Sequence, residues 1–518
     1  MKNNQISQYQ CKTYEREGQL AFALNTEVML PETAEVRFID AELNKLDYSE
    51  LYSGMCRKGR KYAVDPKTMF KVVAYAYEKG IYSSRKIEEA CRMRIDFIWM
   101  LGEEKAPDHS TIARFRKERS EEIEALFYQY VRKLEEEGET DHEVVYVDGT
   151  KVESRAGRYT FVWRKSVEKN LEKVKIELLE KTGTGTVTEA RAKVAEKVSG
   201  LIFVHGSGKR KSIEQKEAER LLELLERMDK YEEQLGIMGK GRNSYSKTDH
   251  SATFMRMKED HMRNGQLKPG YNLQFAVNSE YITGLELFPD RTDSRTLIPL
   301  LEEMKKQHGG KVYEKVSADA GYESNDNYLY LEENGQSSFI KPVNFEAKKT
   351  KKYKSQIGRI ENMTYLEEED CYVCAEGRKL IKNREVQEKH SRFSRTQVYY
   401  RCEDCSGCSQ RSKCSKAKDP LDPKEVRCIK GFDARRKQSE ENLQSTEGIR
   451  IRVSRSIQVE GAFGLMKEDY AFRRFLSFGA VNVRTEMFLF GIGFNLKKRY
   501  YKTSAGRQKT HFNYDNTA

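Results

Sequence analysis

Two aspartates follow short apolar runs of the chain, and each is followed within two residues by a glycine. Asp148 comes after the β-branched and aromatic run 143–147, and Asp319 comes after the run 311–318. Such runs are typical of buried strands that enter a turn. A sheet can hold two such carboxylates side by side, where they would suit a hard divalent cation. A turn or a helix cap is the alternative interpretation for either aspartate alone.

Glu460 lies at the border of a predicted amphipathic helix. Helical spacing places Val459, Phe463 and Met466 on one buried stripe. The Glu460 carboxylate is therefore predicted at the edge between the core and solvent.

The cysteines form a second group of residues that could do chemistry. Seven of the ten lie between Cys371 and Cys428. The pattern is Cys371-x2-Cys374 followed by Cys402-x2-Cys405-x2-Cys408-x5-Cys414. Paired C-x2-C spacing favours a structural zinc site, because two thiolates can occupy adjacent corners of a tetrahedron. Spacing alone allows Cys371, Cys374, Cys402 and Cys405 as one ligand set.

Composition points weakly toward a polyanionic partner. Lys and Arg total 93 against 81 Asp and Glu, which gives a net charge of +12. The N-terminus carries no apolar stretch, and the longest apolar-plus-glycine run, residues 487–494, is too short to span a bilayer. We expect neither secretion nor membrane insertion, and hence a cytoplasmic, nucleoid-associated protein.

The N-terminal part of the chain has helical periodicity, from about residue 36 to 137. One predicted helix covers residues 84–93, and another begins after Pro107-Asp108 and carries Arg114, Arg116 and Lys117. Two short helices with a basic second member favour a helix-turn-helix-like DNA contact. An ordinary bundle with a solvated basic face is the alternative.

The middle of the chain alternates strands and helices. After the strand that precedes Asp148, a charged helical insertion is predicted at about 165–250. A hairpin over 270–277 and 281–288 follows, and then a helix, a strand, a helix and a strand up to residue 343. This order predicts an α/β fold with a mixed sheet flanked by helices.

The chain resembles transposases of bacterial insertion sequences that use a DDE triad on an RNase H-like fold. The resemblance covers nearly the whole chain. It rests on five segments: Pro107-Asp108-His-Ser-Thr111-Ile-Ala-Arg114-Phe-Arg116, Val147-Asp148-Gly-Thr150-Lys-Val-Glu-Ser154, Gly270-Tyr-Asn-Leu-Gln-Phe-Ala276, Ala318-Asp319-Ala-Gly-Tyr322 and the Glu460 helix.

The resemblance implies a catalytic triad of Asp148, Asp319 and Glu460, with the two aspartates on neighbouring central strands. Two Mg²⁺ or Mn²⁺ ions about 4 Å apart would neutralise charge at the attacking and leaving oxygens of a phosphodiester. The partners implied are double-stranded DNA, as terminal repeats and target, and a second copy of the chain, since two element ends must be joined.

Some positions depart from the pattern of these relatives. Their third acid is preceded by an Arg at four residues, whereas Arg455 lies five residues before Glu460. Lys467 fits the usual spacing after the acid. Arg455 and Lys467 are therefore predicted to contact DNA phosphates, with solvated helix charges as the alternative. Glu486 is the alternative third acid.

The resemblance also favours one zinc ligand set and one order of domains. The favoured ligands are Cys374, Cys405, Cys408 and Cys414, in a small zinc-ribbon-like insertion. The predicted domains are an all-helical DNA-binding domain at 1–140, the first part of the core at 141–345, a basic cysteine-rich insertion at 346–435, the last part of the core at 436–500, and a polar tail at 501–518.

The predicted activity is transposition by cleavage and strand transfer at the ends of the insertion sequence. Two alternatives remain open on the sequence alone. One is a related metal nuclease that does not join strands, and the other is a DNA-binding protein without catalysis.

Overall fold

The computed structural model of the protein describes residues 26–53, 64–204, 211–257, 265–388, 392–415, 417, 419 and 422–510. The N-terminal part is helical, as predicted. Its described helices are α1 (Thr26–Met29), α2 (Glu35–Asn44), α3 (Ser49–Ser53), α4 (Pro66–Glu78), α5 (Ser84–Met93), α6 (Ile95–Leu101), α7 (His109–Glu118) and α8 (Ser120–Glu136). The predicted helix at 84–93 coincides with α5. Helix α7 begins after Asp108, whose side chain accepts the Thr111 N–H at 2.7 Å and caps the helix.

A mixed sheet forms the centre of the molecule. Its strands are β1 (Val144–Glu153), β4 (Thr253–Arg256), β5 (Leu267–Asn278), β6 (Tyr281–Phe288), β7 (Lys315–Ala318) and β8 (Ser337–Ile340). Strands β5 and β1 are antiparallel, while β1, β7 and β8 are parallel to one another. The order across the sheet is β6, β5, β1, β7, β8, with β4 also paired to β5. Strand β1 is therefore central, as the prediction of a mixed sheet required.

The hairpin β5–β6 confirms the prediction for this segment. Ser279 and Glu280 form its two-residue turn, with φ angles of 51° and 73°. Positive φ at both positions is the geometry that matches the right-handed twist of the two strands. Helices α12 (Leu297–Gln307) and α13 (Asn325–Glu333) then connect β6, β7 and β8.

The insertion between β1 and β5 is a bundle of three helices with its own apolar core. The helices are α9 (Arg164–Thr182), α10 (Val187–Ser199) and α11 (Ile213–Met238). Leu178, Val194 and Leu224 are among its buried residues. A two-stranded ribbon, β2 (Phe161–Trp163) with β3 (Ser244–Ser246), lies where the bundle joins the sheet. The bundle agrees with the predicted helical insertion.

The cysteine-rich insertion folds on a second sheet, which is antiparallel and has five strands. The strands are β9 (Thr364–Leu366), β10 (Cys371–Val373), β11 (Lys379–Glu388), β12 (Arg395–Cys402) and β13 (Glu425–Ile429). The short helices α14 (Lys351–Lys354) and α15 (Arg411–Cys414) lie before and within it. A small core around Leu380, Val398 and Tyr400 holds this sheet together.

The C-terminal helices return to the central sheet. They are α16 (Phe432–Gln444), α17 (Thr446–Arg455), a π-helical turn (Ser456–Glu460), α18 (Gly461–Lys467) and α19 (Ala480–Ser504). Helix α19 packs on α4 and α8 of the N-terminal part and on β6 of the sheet. One apolar core consequently joins the N-terminal helices to one face of the sheet. Helix α19 also runs four residues into the segment predicted as a polar tail, of which residues 511–518 lie outside the described part.

Close approach of α19 to its neighbours depends on a glycine. A Cβ atom at Gly493 would lie 2.6 Å from the backbone nitrogen of Glu78 and 2.8 Å from the carbonyl carbon of Tyr77. Only a residue without a side chain fits at this crossing with α4. Within the described residues, the structure has no helix long and apolar enough to cross a membrane.

Candidate catalytic site

Asp148 and Asp319 lie beside each other on neighbouring parallel strands. Val147 of β1 is paired with Ala318, the last residue of β7. Asp148 and Asp319 are the residues that directly follow the two members of this pair. Asp148 is buried, with 8% of its surface exposed. It lies within β1 and not at the end of the strand as predicted, because β5 continues to pair with β1 as far as Glu153.

Arg455 links Asp148 to Glu460. Its Nη1 atom lies 3.8 Å from Oδ2 of Asp148, and its Nη2 atom donates to Oε1 of Glu460 at 3.3 Å. The Glu460 side chain is 58% exposed, whereas that of Arg455 is 16% exposed. One guanidinium group therefore lies between a buried and an accessible carboxylate, which places the predicted first and third acids around the same cation.

The spacing of Arg455 and Glu460 is explained by the π-helical turn. Residues Ser456–Glu460 form this turn between α17 and α18. In a π-helix the backbone hydrogen bonds join residues that are five apart, and π-helical turns are frequent at functional sites. The extra residue that separates Arg455 from Glu460, compared with the relatives' spacing, is absorbed by the turn.

Packing of aromatic rings holds the Glu460 segment against the sheet. Phe275 of β5 is the residue directly opposite Asp148 in the antiparallel pair, so the two side chains leave the same face. The Phe275 ring stacks on Phe463 of α18, with centroids 4.7 Å apart and planes 7° apart. Because Phe463 is one turn after Glu460, this contact holds the Glu460 segment over the face that carries Asp148.

Asp293 is a further acid at this site that the sequence analysis did not identify. Its Oδ1 atom accepts hydrogen bonds from the side-chain amides of Asn272 at 2.7 Å and Gln274 at 3.0 Å. Gln274 is the partner of Gly149 in the β1–β5 pair, and a Cβ atom at Gly149 would overlap its amide. The glycine that follows Asp148 thus makes room for the amide that holds Asp293.

Tyr322 lies close to the negative charges of the site. It is fully buried, and its hydroxyl donates to the side-chain carbonyl of Gln274. Burial raises its pKa well above the ordinary value, and the nearby charges of Asp293, Asp148 and Asp319 raise it further. All three aspartates therefore surround a tyrosine that stays protonated and keeps donating its hydrogen bond.

A basic groove runs between the N-terminal helices and the segment after β1. It has a volume of about 1050 Å³. Its basic lining residues are Arg85, Arg116, Lys117, Arg155 and Arg474. The Arg474 guanidinium is anchored by the backbone carbonyls of Ser154 at 3.0 Å and Arg155 at 2.8 Å, directly beyond the end of the strand that carries Asp148.

The predicted DNA-contacting residues of α7 differ in their surroundings. Arg116 donates to the Tyr77 hydroxyl at 3.0 Å, the Tyr82 carbonyl at 2.9 Å and the Ser84 hydroxyl at 2.7 Å. It thus also fixes α7 against α4 and α5. Arg114 and Lys117 are exposed on the helix.

Lys467 lies at the end of α18 and lines a smaller cavity of about 230 Å³ near the end of β1.

Glu486, the alternative third acid, is buried in α19 with 2% exposure. Its carboxylate accepts the Leu476 N–H at 3.1 Å, and burial raises its pKa. The structure therefore brings Glu460, and not Glu486, to the Arg455–Asp148 pair.

Four cysteine thiols lie near one another at one end of the second sheet, although among the described residues no three thiols are all within 4.8 Å of one another. Burial raises the pKa of Cys414, and the neighbouring thiols of Cys374, Cys405 and Cys408 raise it further. These are the four ligands that the resemblance favours. Cys402 is also close: burial and the Cys405 thiol raise its pKa to about 12, and its thiol contacts the Asp404 carbonyl at 3.3 Å. Cys371, the first residue of β10, is buried with 1% exposure.

Two families match the chain, each over less than half of its length. The family described as "Transposase DDE domain" matches residues 373–500, which contain part of the cysteine-bearing sheet, Arg455 and Glu460. The family described as "Transposase domain (DUF772)" matches residues 24–118, the N-terminal helices up to α7. A comparison with curated proteins and one with solved structures gave no match.

Both matches are to transposase domains, so two separate parts of the chain are similar to transposases. They cover different parts of the sequence and confirm the resemblance to a DDE transposase of an insertion sequence that the motifs indicated.

Proposed function

We propose that this protein binds the ends of its insertion sequence and carries out metal-dependent cleavage and joining of DNA strands. The observation that carries the proposal is the placement of Asp148 and Asp319 on paired strands, with Arg455 between Asp148 and Glu460. The strand order, with β1 central, an antiparallel hairpin on one side and two parallel strands on the other, supports the RNase H-like core that the resemblance implies.

The donor atoms at this site suit Mg²⁺ or Mn²⁺. Asp148, Asp319 and Glu460 offer hard carboxylate oxygens, which these cations prefer. Arg455 places a positive charge between Asp148 and Glu460, so the space between these two acids already favours a cation. When bound, two such ions would neutralise charge at the attacking and departing oxygens.

Cleavage and joining are the same exchange at phosphorus. In cleavage, the oxygen of a water molecule bonds to phosphorus, the bond to the 3′-oxygen breaks, and that oxygen takes a proton as a 3′-hydroxyl. In joining, this 3′-hydroxyl attacks a phosphodiester of the target and displaces its 3′-oxygen. Burial of Asp148 and the fixed position of Arg455 would keep the acids in place through both steps.

The basic groove would hold the DNA. Its arginines and lysines come from α5, α7 and the segments after β1 and α18, and such clusters bind phosphates by releasing counterions. Arg155 lies seven residues after Asp148, just past the end of β1, and the Arg474 guanidinium is anchored there by the Ser154 and Arg155 carbonyls. DNA in the groove would therefore continue toward the acids. Because two ends must be joined, we propose that the protein works as a homodimer on DNA.

The cysteine insertion would carry a structural zinc ion. The proposed ligands are Cys374, Cys405, Cys408 and Cys414, and the first three lie close enough to the Cys414 thiol to raise its pKa. Four thiolates are a common ligand set for tetrahedral zinc. The ion would stiffen the insertion that lies between β8 and the Glu460 segment.

The test is a cleavage and joining assay on linear duplexes that carry the DNA flanking the protein's own gene, with Mg²⁺ or Mn²⁺. We expect Asp148→Asn, Asp319→Asn and Glu460→Gln each to abolish both steps while DNA binding persists. Glu486→Gln is the matched control and should remain active if it folds. An active Glu460→Gln variant would reject the third acid, and wild type that binds without cutting would reject catalysis altogether. Cleavage without joining would identify a nuclease.

A further inference from the structure

A second group of metal-ligand side chains lies away from the acids, where the helical part meets the sheet. It consists of Glu135 near the end of α8, His142 just before β1, and His308, which caps α12. Their ligand atoms all lie within 4.8 Å of one another, and in the described part of the chain no other three such residues meet this spacing. The group therefore joins three separate elements at one point.

Both histidines face the Glu135 carboxylate, but none of their ring nitrogens makes a hydrogen bond of good geometry among the described residues. His308 is 6% exposed, and neither of its ring nitrogens has a partner of good geometry among the described residues. The backbone of Thr283 lies beside the ring, and the ring of His142 meets it edge to face at 5.5 Å. Both nitrogens of His142 likewise have no well-aligned partner. A buried polar side chain without a partner is rare and calls for a ligand or another explanation.

The two distances from the histidines to the Glu135 carboxylate are close to those between ligands of one metal ion. Nε2 of His142 lies 3.0 Å from Oε1 of Glu135, and Nδ1 of His308 lies 3.7 Å from Oε2 of the same carboxylate. Ligands at the corners of a tetrahedron are about 3.4 Å apart when each is about 2.1 Å from the metal. The observed distances lie on either side of that value, so small side-chain shifts would complete the shell.

We propose that Glu135, His142 and His308 form a binding site for a transition-metal ion of the Zn²⁺ type. Two imidazole nitrogens and one carboxylate favour Zn²⁺ and similar ions over Mg²⁺, which prefers oxygen alone. An ion here would tie α8 to the start of β1, the strand that carries Asp148. The proposal stands apart from the proposed function, because none of its three residues is in the acid site.

Lys311 competes with a metal ion for this site. Its ammonium group pairs with Oε1 of Glu135, the oxygen that also faces His142. The Lys311 side chain is 63% exposed, so it can move into solvent when an ion binds. Removing its charge should therefore strengthen metal binding without touching a ligand.

The test compares metal content and spectra in the full chain after chelation and reloading with Zn²⁺ or Co²⁺. We expect the double variant His142→Asn/His308→Asn to bind about one ion per chain fewer than wild type. His109→Asn is the matched control, because His109 also pairs with a glutamate, Glu88, but at an exposed position. Co²⁺ bound at the proposed site should add visible bands without the near-ultraviolet sulfur bands that cysteine ligands give.

The Lys311→Ala variant keeps the proposal testable if the double variant does not fold. We expect it to bind Zn²⁺ several-fold more tightly than wild type and to gain more thermal stability on zinc addition. Equal zinc content in wild type and a folded double variant would overturn the proposal. So would a Lys311→Ala variant whose zinc affinity and zinc-dependent melting temperature match those of wild type.

Discussion

The Nη1 atom of Arg455 lies 3.8 Å from Oδ2 of Asp148, although the two residues belong to different ends of the chain. Arg455 also contacts Glu460, so it competes with a divalent cation for both carboxylates. We expect Arg455→Gln to bind Mn²⁺ about tenfold more tightly, since a unit charge at this distance is worth about 1 kcal/mol or more. Strand cleavage should fall, because a phosphate contact is lost.

Isothermal titration with Mn²⁺ measures the first effect, and the cleavage assay measures the second. Arg452→Gln is the control, because Arg452 lies on the same helix and packs over the Phe345 ring at 5.8 Å. Unchanged or weaker Mn²⁺ binding by Arg455→Gln would contradict the competition.

Asp293 is held by two amides near Asp148 and Asp319, where its charge adds to the negative field that would attract divalent cations. We expect Asp293→Asn to lower the rate of strand cleavage about 10- to 100-fold, the usual cost of losing a group that supports metal ligands. DNA binding, measured by fluorescence anisotropy, should stay as in wild type. Asp290→Asn, three residues earlier, is the control. Equal cleavage rates for the two variants would show that Asp293 does not contribute to cleavage at this site.

The choice of zinc ligands can be settled by comparing two cysteines of the same insertion. We expect Cys408→Ser to lose about one zinc ion per chain, because a tetrahedral site cannot keep its ion with one thiolate replaced by a hydroxyl. Cys371→Ser should retain the ion, since the buried Cys371 thiol contacts the Glu369 carboxylate at 3.9 Å. Elemental analysis of the purified variants is the measurement. Zinc loss in Cys371→Ser with retention in Cys408→Ser would favour the other ligand set.

Gly493 permits the close crossing of α19 and α4. We expect Gly493→Ala to lower the melting temperature, because its Cβ atom would overlap the α4 backbone, and overpacking of this kind costs about 1–3 kcal/mol or more. Gly464→Ala is the matched control: a Cβ atom there meets nothing within 4 Å, and alanine favours the helix. Thermal unfolding followed by circular dichroism compares the two. A Gly493→Ala variant as stable as wild type would show that the crossing of α19 and α4 has space for a Cβ atom.

Glu78 predicts a pH dependence of stability. It is fully buried between Lys79 and Lys497, and burial raises its pKa from 4.5 to about 7. Between these values the folded chain binds more protons at Glu78 than the unfolded chain, so stability falls as pH rises through this window. Glu78→Gln removes the effect. We therefore expect the melting temperature of Glu78→Gln, relative to wild type, to be higher at pH 8 than at pH 5.

The control for this effect is Glu89→Gln, which changes an exposed glutamate in α5. It should follow the pH dependence of wild type. A melting-temperature difference between Glu78→Gln and wild type that is the same at pH 5 and pH 8 would show that Glu78 keeps one protonation state across that range.

Local patterns were sufficient to predict much of the core. The run before Asp148 predicted a strand because buried parallel strands are continuously apolar, and the polar turn at Ser279 and Glu280 predicted the hairpin. Of the strand predicted at 311–318, only Lys315–Ala318 forms β7, since the first half of that run carries Lys311 and Glu314. The length of β1 was not predictable in the same way. Residues 149–153 are polar or small, and they are in a strand because β5 pairs with them.

Contacts between distant segments account for what the sequence analysis missed. Asp293 had no motif around it, and its signal lies in Asn272 and Gln274 on another strand. The five-stranded sheet was not predicted because its strands are short or rich in charge, so they lack a clear apolar alternation. The Glu135, His142 and His308 group has no sequence spacing that would indicate a metal, since the fold alone brings the three together.

Helix α19, the last helix described, packs on both the N-terminal helices and the central sheet. On the ribosome, the earlier segments emerge before the helix that completes their shared core. A nascent or truncated chain without residues 480–504 would expose the apolar surfaces of α4, α8 and β6 that α19 covers. The proposed enzyme would thus gain a working acid site only after residues 480–504 have been made, and shorter translation products would be inert toward the DNA that encodes them.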